Sequence, residues 1–176
     1  MKARTGRLDY SSPNGVYAYD KASRAWVLLD EEASPLTPKE RVSVIYFDNS
    51  LCPVCRRYDE VWYPFIDSNL DALKDFGLYI VYCNWFTQDC TSLKAALTFI
   101  EYGVKASPTT VLVLSDGGKV LYTERYEGLL TERDLRTIVF SFPERAERAL
   151  RGEKVERPIT EGEMLDLLWP PPRPKG

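Results

Sequence analysis

Two cysteines separated by two residues, Cys52 and Cys55, are the residues of this chain best suited to chemistry. They follow a continuous apolar run, Val42 to Phe47, of the kind that a strand buried on both faces needs. Apolar residues at helical spacing come after them. A Cys-X-X-Cys pair between a buried strand and a helix is typical of thiol–disulfide exchange, and this order is more specific than the spacing alone. The pattern therefore predicts a redox-active dithiol.

A helix that starts at this motif would make the first cysteine the reactive one. Unsatisfied N–H groups and the positive end of the helix dipole favour a thiolate at Cys52. Pro53 suits the first helical position, where no N–H partner is lost, and Arg56 and Arg57 add positive charge nearby. Cys55 lies one turn further along, within reach of a mixed disulfide formed at Cys52. We expect Cys55 to be the resolving cysteine.

Composition argues against several other classes of function. The 176-residue chain has no histidine, the commonest general base and zinc ligand, which disfavours a hydrolase. A formal net charge of -3 leaves no excess of basic residues for nucleic-acid phosphates. The segment Met1 to Tyr10 is polar, so we expect a cytoplasmic protein with no membrane association. A single glutamine, Gln88, and twelve prolines fit a heat-adapted source.

The remaining pattern predicts an α/β fold with a central mixed sheet flanked by helices. The other expected elements are, in chain order, a hairpin over 16–19 and 25–29, a strand over 78–82, a helix over about 91–102, a hairpin over 109–114 and 119–126, and a helix after Thr131. We predict one domain overall. Its parts are an N-terminal extension with a β-hairpin (1–40), a central unit (41–140) and a helical, proline-rich C-terminal tail (141–176).

A second marker, Ser107-Pro108-Thr109, stands just before the predicted strand, hairpin and final helix. Together with the strand, cysteine motif and helix, it makes residues Val42 to Val139 resemble the thioredoxin superfamily. In that superfamily a cis-proline at this point packs against the cysteine pair, and the peptide bond before it contacts the substrate. The resemblance implies a thioredoxin-like fold with catalytic Cys52 and Cys55. It also implies substrate contacts at Pro53, Val54, Ser107 and Pro108.

The resemblance implies a protein disulfide oxidoreductase that acts on the disulfides or dithiols of other proteins. Its redox group would be the Cys52–Cys55 disulfide itself, with no further cofactor, and its electron donor would be of the thioredoxin-reductase type. Two departures affect the site. Leu51 stands where thioredoxins have a tryptophan, and Tyr46 stands where they have a buried aspartate. We therefore expect proton transfer at Cys55 to differ from that in thioredoxins.

The two other cysteines, Cys83 and Cys90, flank the loop between the second buried strand and the next helix. This loop can fold back and bring them together, and some thioredoxins carry an extra pair in this region. We predict a structural disulfide on the same sheet edge as Cys52. Two alternatives stay open: a structural zinc site built from all four cysteines, which the wide second spacing disfavours, and a redox-inactive interaction module. No metal ligand is expected under the main interpretation.

Overall fold

The computed structural model describes residues 2–175. Within these residues the chain forms seven strands and four helices. In chain order they are β1 (Arg4–Thr5), β2 (Gly15–Asp20), β3 (Ala25–Leu28), β4 (Val42–Asn49), α1 (Pro53–Ser68), β5 (Phe76–Cys83), α2 (Leu93–Glu101), β6 (Thr109–Asp116), β7 (Lys119–Glu127), α3 (Glu132–Leu150) and α4 (Glu161–Leu168).

The strands form one mixed sheet in the order β1-β3-β2-β5-β4-β6-β7. Strand β4 lies near its centre, parallel to β5 and antiparallel to β6. Every residue of β4 is buried, as a strand covered on both faces requires. The predicted α/β fold, with a central mixed sheet flanked by helices, is confirmed.

Helices cover the sheet on both faces and create two apolar cores. Because successive side chains of a strand point to opposite faces, Tyr46 packs in the core under α1 and α3, while Phe47 packs in the core under α2. Trp62 of α1 belongs to the first core, and Phe99 of α2 belongs to the second. This double covering fixes the end of β4, where the cysteine motif begins.

The predicted N-terminal hairpin is present as β2 and β3, and it continues the central sheet. Residues 15–18 of β2 pair antiparallel with residues 79–82 of β5. Trp26 of β3 is buried, with its ring centroid 6.1 Å from that of Trp62 in α1. Residues before position 40 therefore contribute both to the sheet and to the core under α1.

The two longest helices among the described residues are α1 and α3. α1 ends at Ser68, and the Asn69 side chain donates a hydrogen bond of 2.6 Å to the Phe65 carbonyl in its last turn. α3 begins at the predicted cap, Thr131, and runs unbroken to Leu150. The boundary predicted at residue 140 therefore falls inside a helix, and the C-terminal tail starts beyond that helix.

The tail is fixed at the start of α4 and exposed beyond it. The Thr160 side chain caps α4, and the backbone N–H of Glu161 donates to Asp134 Oδ1 at 2.9 Å. Leu167, Leu168 and Trp169 are exposed. No helix between residues 2 and 175 is long and apolar enough to cross a membrane.

A substitution in the hairpin measures how far it supports the fold. Replacing Trp26 with alanine removes a buried aromatic side chain from the core under α1, and we expect it to lower the free energy of unfolding by about 3 to 5 kcal/mol. Val27→Ala, on the next and only half-buried residue of the same strand, should cost much less. Urea denaturation of both variants gives the comparison. Equal, small losses would mean that the hairpin does not support the core.

Candidate active site

Cys52 is the N-cap residue of α1. Its backbone is extended, and its sulfur accepts a hydrogen bond from the Cys55 backbone N–H at a donor–acceptor distance of 3.1 Å. Pro53 occupies the first turn, where its missing N–H costs nothing. The sulfur of Cys52 therefore lies where the free N–H groups of the helix start stabilise negative charge.

The second sequence marker lies directly beside this cysteine. The Ser107–Pro108 peptide bond is cis. The Cys52 thiol donates to the Ser107 carbonyl across 3.5 Å. Pairing of β6 with β4, which matches Thr109 with Phe47, brings this loop to the end of β4. The structure thus assembles the two segments that lie more than fifty residues apart in the chain.

The residues expected to contact a substrate differ in accessibility. Pro53 is exposed, while Val54 and Ser107 are half-buried. Pro108 is buried. Leu51, just before the first cysteine, is 58% exposed and presents an apolar side chain at the rim of the site. The accessible surface around Cys52 is therefore formed mainly by Leu51, Pro53 and the edges of Val54 and Ser107.

Cys55 is fully buried on the inner side of α1. Burial raises the pKa of its thiol strongly, and the negative charge of Asp48 raises that pKa further. A free thiolate at Cys55 is therefore disfavoured, so this residue needs a proton acceptor when it reacts. The two cysteines of the motif have different environments in spite of their short separation.

A buried charged cluster, which the sequence interpretation missed, lies beside Cys55. It consists of Asp48, Arg56, Asp59 and the Tyr46 hydroxyl, and we call it the acid–base cluster. Arg56 Nη2 lies 2.5 Å from Asp48 Oδ1, and Arg56 Nε lies 2.9 Å from Asp59 Oδ2. The Tyr46 hydroxyl donates to Asp59 Oδ1 at 2.9 Å. Both carboxylates are almost wholly buried, whereas the Arg56 side chain is partly exposed.

Asp48 is the charged member of the acid–base cluster that contributes most to the raised pKa of the Cys55 thiol. Burial raises the pKa of Asp48 to about 7, with a further contribution from the negative charge of Asp59, while Arg56 opposes both effects. Its second oxygen, Oδ2, is buried without a hydrogen-bond partner among the described residues. Asp48 is therefore a carboxyl group with a free oxygen that changes charge near neutral pH.

Sequence signals for this cluster existed. Asp48 directly continues the apolar run of β4, which predicts burial at the strand end. Asp59 is four residues after Cys55 and so lies on the same face of α1. Tyr46 occupies the position of the buried aspartate in thioredoxins. Here the buried carboxyl group belongs to Asp48, two residues further along the same strand and therefore on the same face of the sheet.

The N-terminal segment, residues 7–14, borders the site. The Tyr82 hydroxyl donates to the Asp9 carbonyl at 2.9 Å. The guanidinium carbon of Arg56 lies 5.9 Å from the centroid of the Tyr10 ring. The Asn14 side-chain amide donates to the side chain of Asn84 at 3.0 Å, and the Asn84 carbonyl accepts from the Leu51 N–H. This segment thus lies beside Arg56 of the acid–base cluster and is linked through Asn84 to the loop that carries Leu51.

Cys83 and Cys90 form a disulfide across the loop that follows β5, with their Cα atoms 4.7 Å apart. Cys83 pairs with Asn49 at the end of β4, so the disulfide lies on the sheet edge that carries Cys52. Cys83 packs in the core under α2, however, and Cys55 packs in the core under α1. The four cysteines do not converge, and residues 2–175 contain no cluster of three or more histidine, cysteine, aspartate or glutamate residues suited to a metal ion.

The mixed sheet, the helices on its two faces and the cysteine motif at the start of α1 together give this chain a thioredoxin-like fold, as predicted. No protein-family model matches the sequence, and no curated protein gives a significant match. Among solved structures, thioredoxin from Aeropyrum pernix is similar, with 15% identity, a TM-score of 0.45, and coverage of 81% of this chain and 98% of that one. A mutant thioredoxin from Halobacterium salinarum shares 21% identity, with a TM-score of 0.41 and coverage of 65% and 95%.

The environments of the two cysteines predict different rates of alkylation. We expect iodoacetamide to modify Cys52 well before Cys55, because Cys52 lies at the helix start and burial suppresses ionisation of Cys55. Peptide mass spectrometry after a timed exposure of reduced protein measures the order. Faster modification of Cys55 would contradict the assignment.

The loop disulfide makes a separate prediction. Protein purified without reductant and alkylated without reduction should yield the Cys83 and Cys90 peptides linked to each other. Closing this short loop should contribute roughly 2 to 3 kcal/mol on the chain-entropy estimate, so the double alanine variant should unfold at lower urea concentration. Recovery of two separately alkylated thiols at these positions would show that the bond is absent in solution.

Proposed function

We propose that this protein is a thiol–disulfide oxidoreductase acting on protein disulfides or dithiols, with Cys52 as the nucleophile and Cys55 as the resolving cysteine. One observation carries the proposal: the Cys52 sulfur caps α1 and accepts the Cys55 N–H at 3.1 Å. This position at the helix start favours a thiolate at Cys52, a residue that is 4% exposed beneath the rim residues. Cys55, which is buried beside a carboxyl group, then suits the second step, the attack on the mixed disulfide.

In the reducing direction the reaction takes two exchange steps. The Cys52 thiolate attacks one sulfur of the target disulfide, that bond breaks, and the departing target thiolate takes up a proton. Cys55 then transfers its proton to the Asp48 carboxylate and attacks the Cys52 sulfur. The Cys52–Cys55 disulfide forms, and the second target thiolate leaves. Two electrons have passed to the target, and a dithiol donor must then reduce the Cys52–Cys55 disulfide.

The proposed role of Asp48 has a direct consequence for pH dependence. Only the ionised carboxylate can accept the Cys55 proton, and burial raises the Asp48 pKa to about 7. Below that pH the carboxyl group is mostly protonated and the second step is slow. The rate of the second step should therefore rise as pH increases through about 7.

The proposed substrate surface is the rim around Cys52. A target chain would pass over exposed Pro53 and half-buried Val54 and lie beside Ser107 and Pro108. The apolar side chain of Leu51 extends this rim. A donor of the thioredoxin-reductase type and a cytoplasmic location stay predictions.

The alternative zinc module receives no support from the geometry, because Cys83 and Cys90 are joined and lie on the other face of the sheet. The redox-inactive module differs from the proposal in a measurable way. Its Cys52–Cys55 pair would have no role in exchange, and substitution of either residue would leave disulfide reduction unchanged.

Reduction of insulin disulfides by dithiothreitol, followed by turbidity, tests the function. The protein should accelerate precipitation, and Cys52→Ser should abolish the acceleration because no mixed disulfide can form. Cys55→Ser should instead trap a mixed disulfide with a target protein, visible on non-reducing gels. Lys119→Gln is the control, since Lys119 is exposed in β7, away from the cysteine motif, and its side chain makes no hydrogen bond or ion pair within the described residues. Equal activity in wild type and Cys52→Ser would rule out the proposed function.

A further inference from the structure

We infer that Arg56 is a positioning residue for the second step, which holds the Asp48 carboxylate in the charge state and orientation needed to receive the Cys55 proton, and that Asp59 opposes this action. The inference rests on the proposed function and deepens it. In this inference, the charge balance between two buried carboxylates and one guanidinium controls the reaction of the resolving cysteine.

The contacts of Arg56 are suited to this role. Its Nη2 binds Oδ1 of Asp48 at 2.5 Å, which leaves Oδ2 of that buried carboxyl group without a hydrogen-bond partner among the described residues. Its Nη1 donates to the Ser50 carbonyl at 3.2 Å, so the guanidinium is tied to the loop before Cys52. A planar fork bound at several points fixes the plane of its partner carboxylate better than a flexible ammonium could.

The charge balance of the acid–base cluster gives Asp59 the opposite effect. With both carboxylates ionised, the cluster carries one net negative charge in a site with little water. The positive charge of Arg56 favours ionisation of Asp48, whereas the negative charge of Asp59 disfavours it. Removing the guanidinium would leave two buried carboxylates without their counter-ion, and one of them would then keep a proton.

Other charged or titratable groups around the cluster do not change charge near neutral pH. Burial raises the pKa of Tyr46 well above its usual value and that of Tyr82 to about 12. Tyr63 likewise has a raised pKa, and Arg7 stays protonated in its ion pair with Glu60. The exposed ring of Tyr10 lies next to the Arg56 guanidinium. Once Cys52 is in a mixed disulfide it has no proton, so Asp48, Asp59 and Cys55 are the groups left to titrate.

The experiment follows both exchange steps by stopped flow with 5,5′-dithiobis(2-nitrobenzoate). The first thionitrobenzoate released reports attack by Cys52, and the second reports attack by Cys55 on the mixed disulfide. In wild type, the second rate should rise through about pH 7. Asp48→Asn should remove this pH dependence and slow the second step by about a hundredfold, the lower end of general-base effects.

The decisive comparison is between Arg56→Gln and Asp59→Asn. In Arg56→Gln, loss of the positive charge should move the midpoint of the pH profile of the second-step rate to higher pH. It should also lower that rate at neutral pH by about tenfold, the effect of one unit in pKa. Loss of the Asp59 charge should move the midpoint to lower pH. Arg57→Gln should leave the midpoint in place. Arg56→Lys, which keeps the positive charge but lacks the planar guanidinium, should keep the midpoint but not the full rate.

A purely structural role of the cluster would slow both variants without opposite displacements of the midpoint, and that outcome would overturn the inference. Unchanged profiles in both variants would overturn it as well. If Arg56→Gln fails to fold, Arg56→Lys and Asp59→Asn decide, since a midpoint that moves upward or stays fixed in Asp59→Asn contradicts the inference. Failure of the proposed function looks different, because wild type would then release no second equivalent at any pH.

Discussion

The whole site depends on the burial of a charged group at the end of β4. This strand is covered on both faces, so Asp48 enters the interior with no access to bulk water. A carboxylate in such a place requires a cation, and Arg56 supplies one from the helix that follows. The ion pair fixes the first turns of α1 relative to β4. That relation in turn determines where the two cysteines lie.

The two cysteines acquire different chemistry from one short helical turn. Cys52, at the cap, has its sulfur among the free N–H groups of the helix start, while Cys55 points inward to the acid–base cluster. A separation of three residues along the helix thus places one sulfur at the helix cap and the other in a buried site that raises its pKa. The proposed division of labour between a nucleophile and a resolving residue rests on this difference in position along the helix.

Much of this could be predicted from sequence because the relevant signals are local. The apolar run of β4, the cap position of Cys52 and the Asp116-Gly117-Gly118 turn between β6 and β7 each follow from short patterns. The acid–base cluster had only partial signals of this kind, since Asp48 continues the apolar run of β4 and Asp59 shares a face of α1 with Cys55. Only the packing of α1 on the sheet reveals that both carboxylates are buried around one guanidinium. The pairing of β2 with β5 was likewise hidden, because no short pattern specifies which strand a hairpin joins.

The N-terminal segment has a consequence for the order in which the site is assembled. Its bond from Tyr82 to Asp9 joins residues 73 positions apart, whereas the bond that defines the cysteine cap spans three. Contacts of short sequence separation form first, because closing a long loop costs more chain entropy. The start of α1 can therefore exist before residues 7–14 arrive over Arg56. Loosening residues 7–14 would therefore remove Tyr10 from Arg56 and break the bond from Tyr82 to Asp9, while the helix cap at Cys52 stays in place.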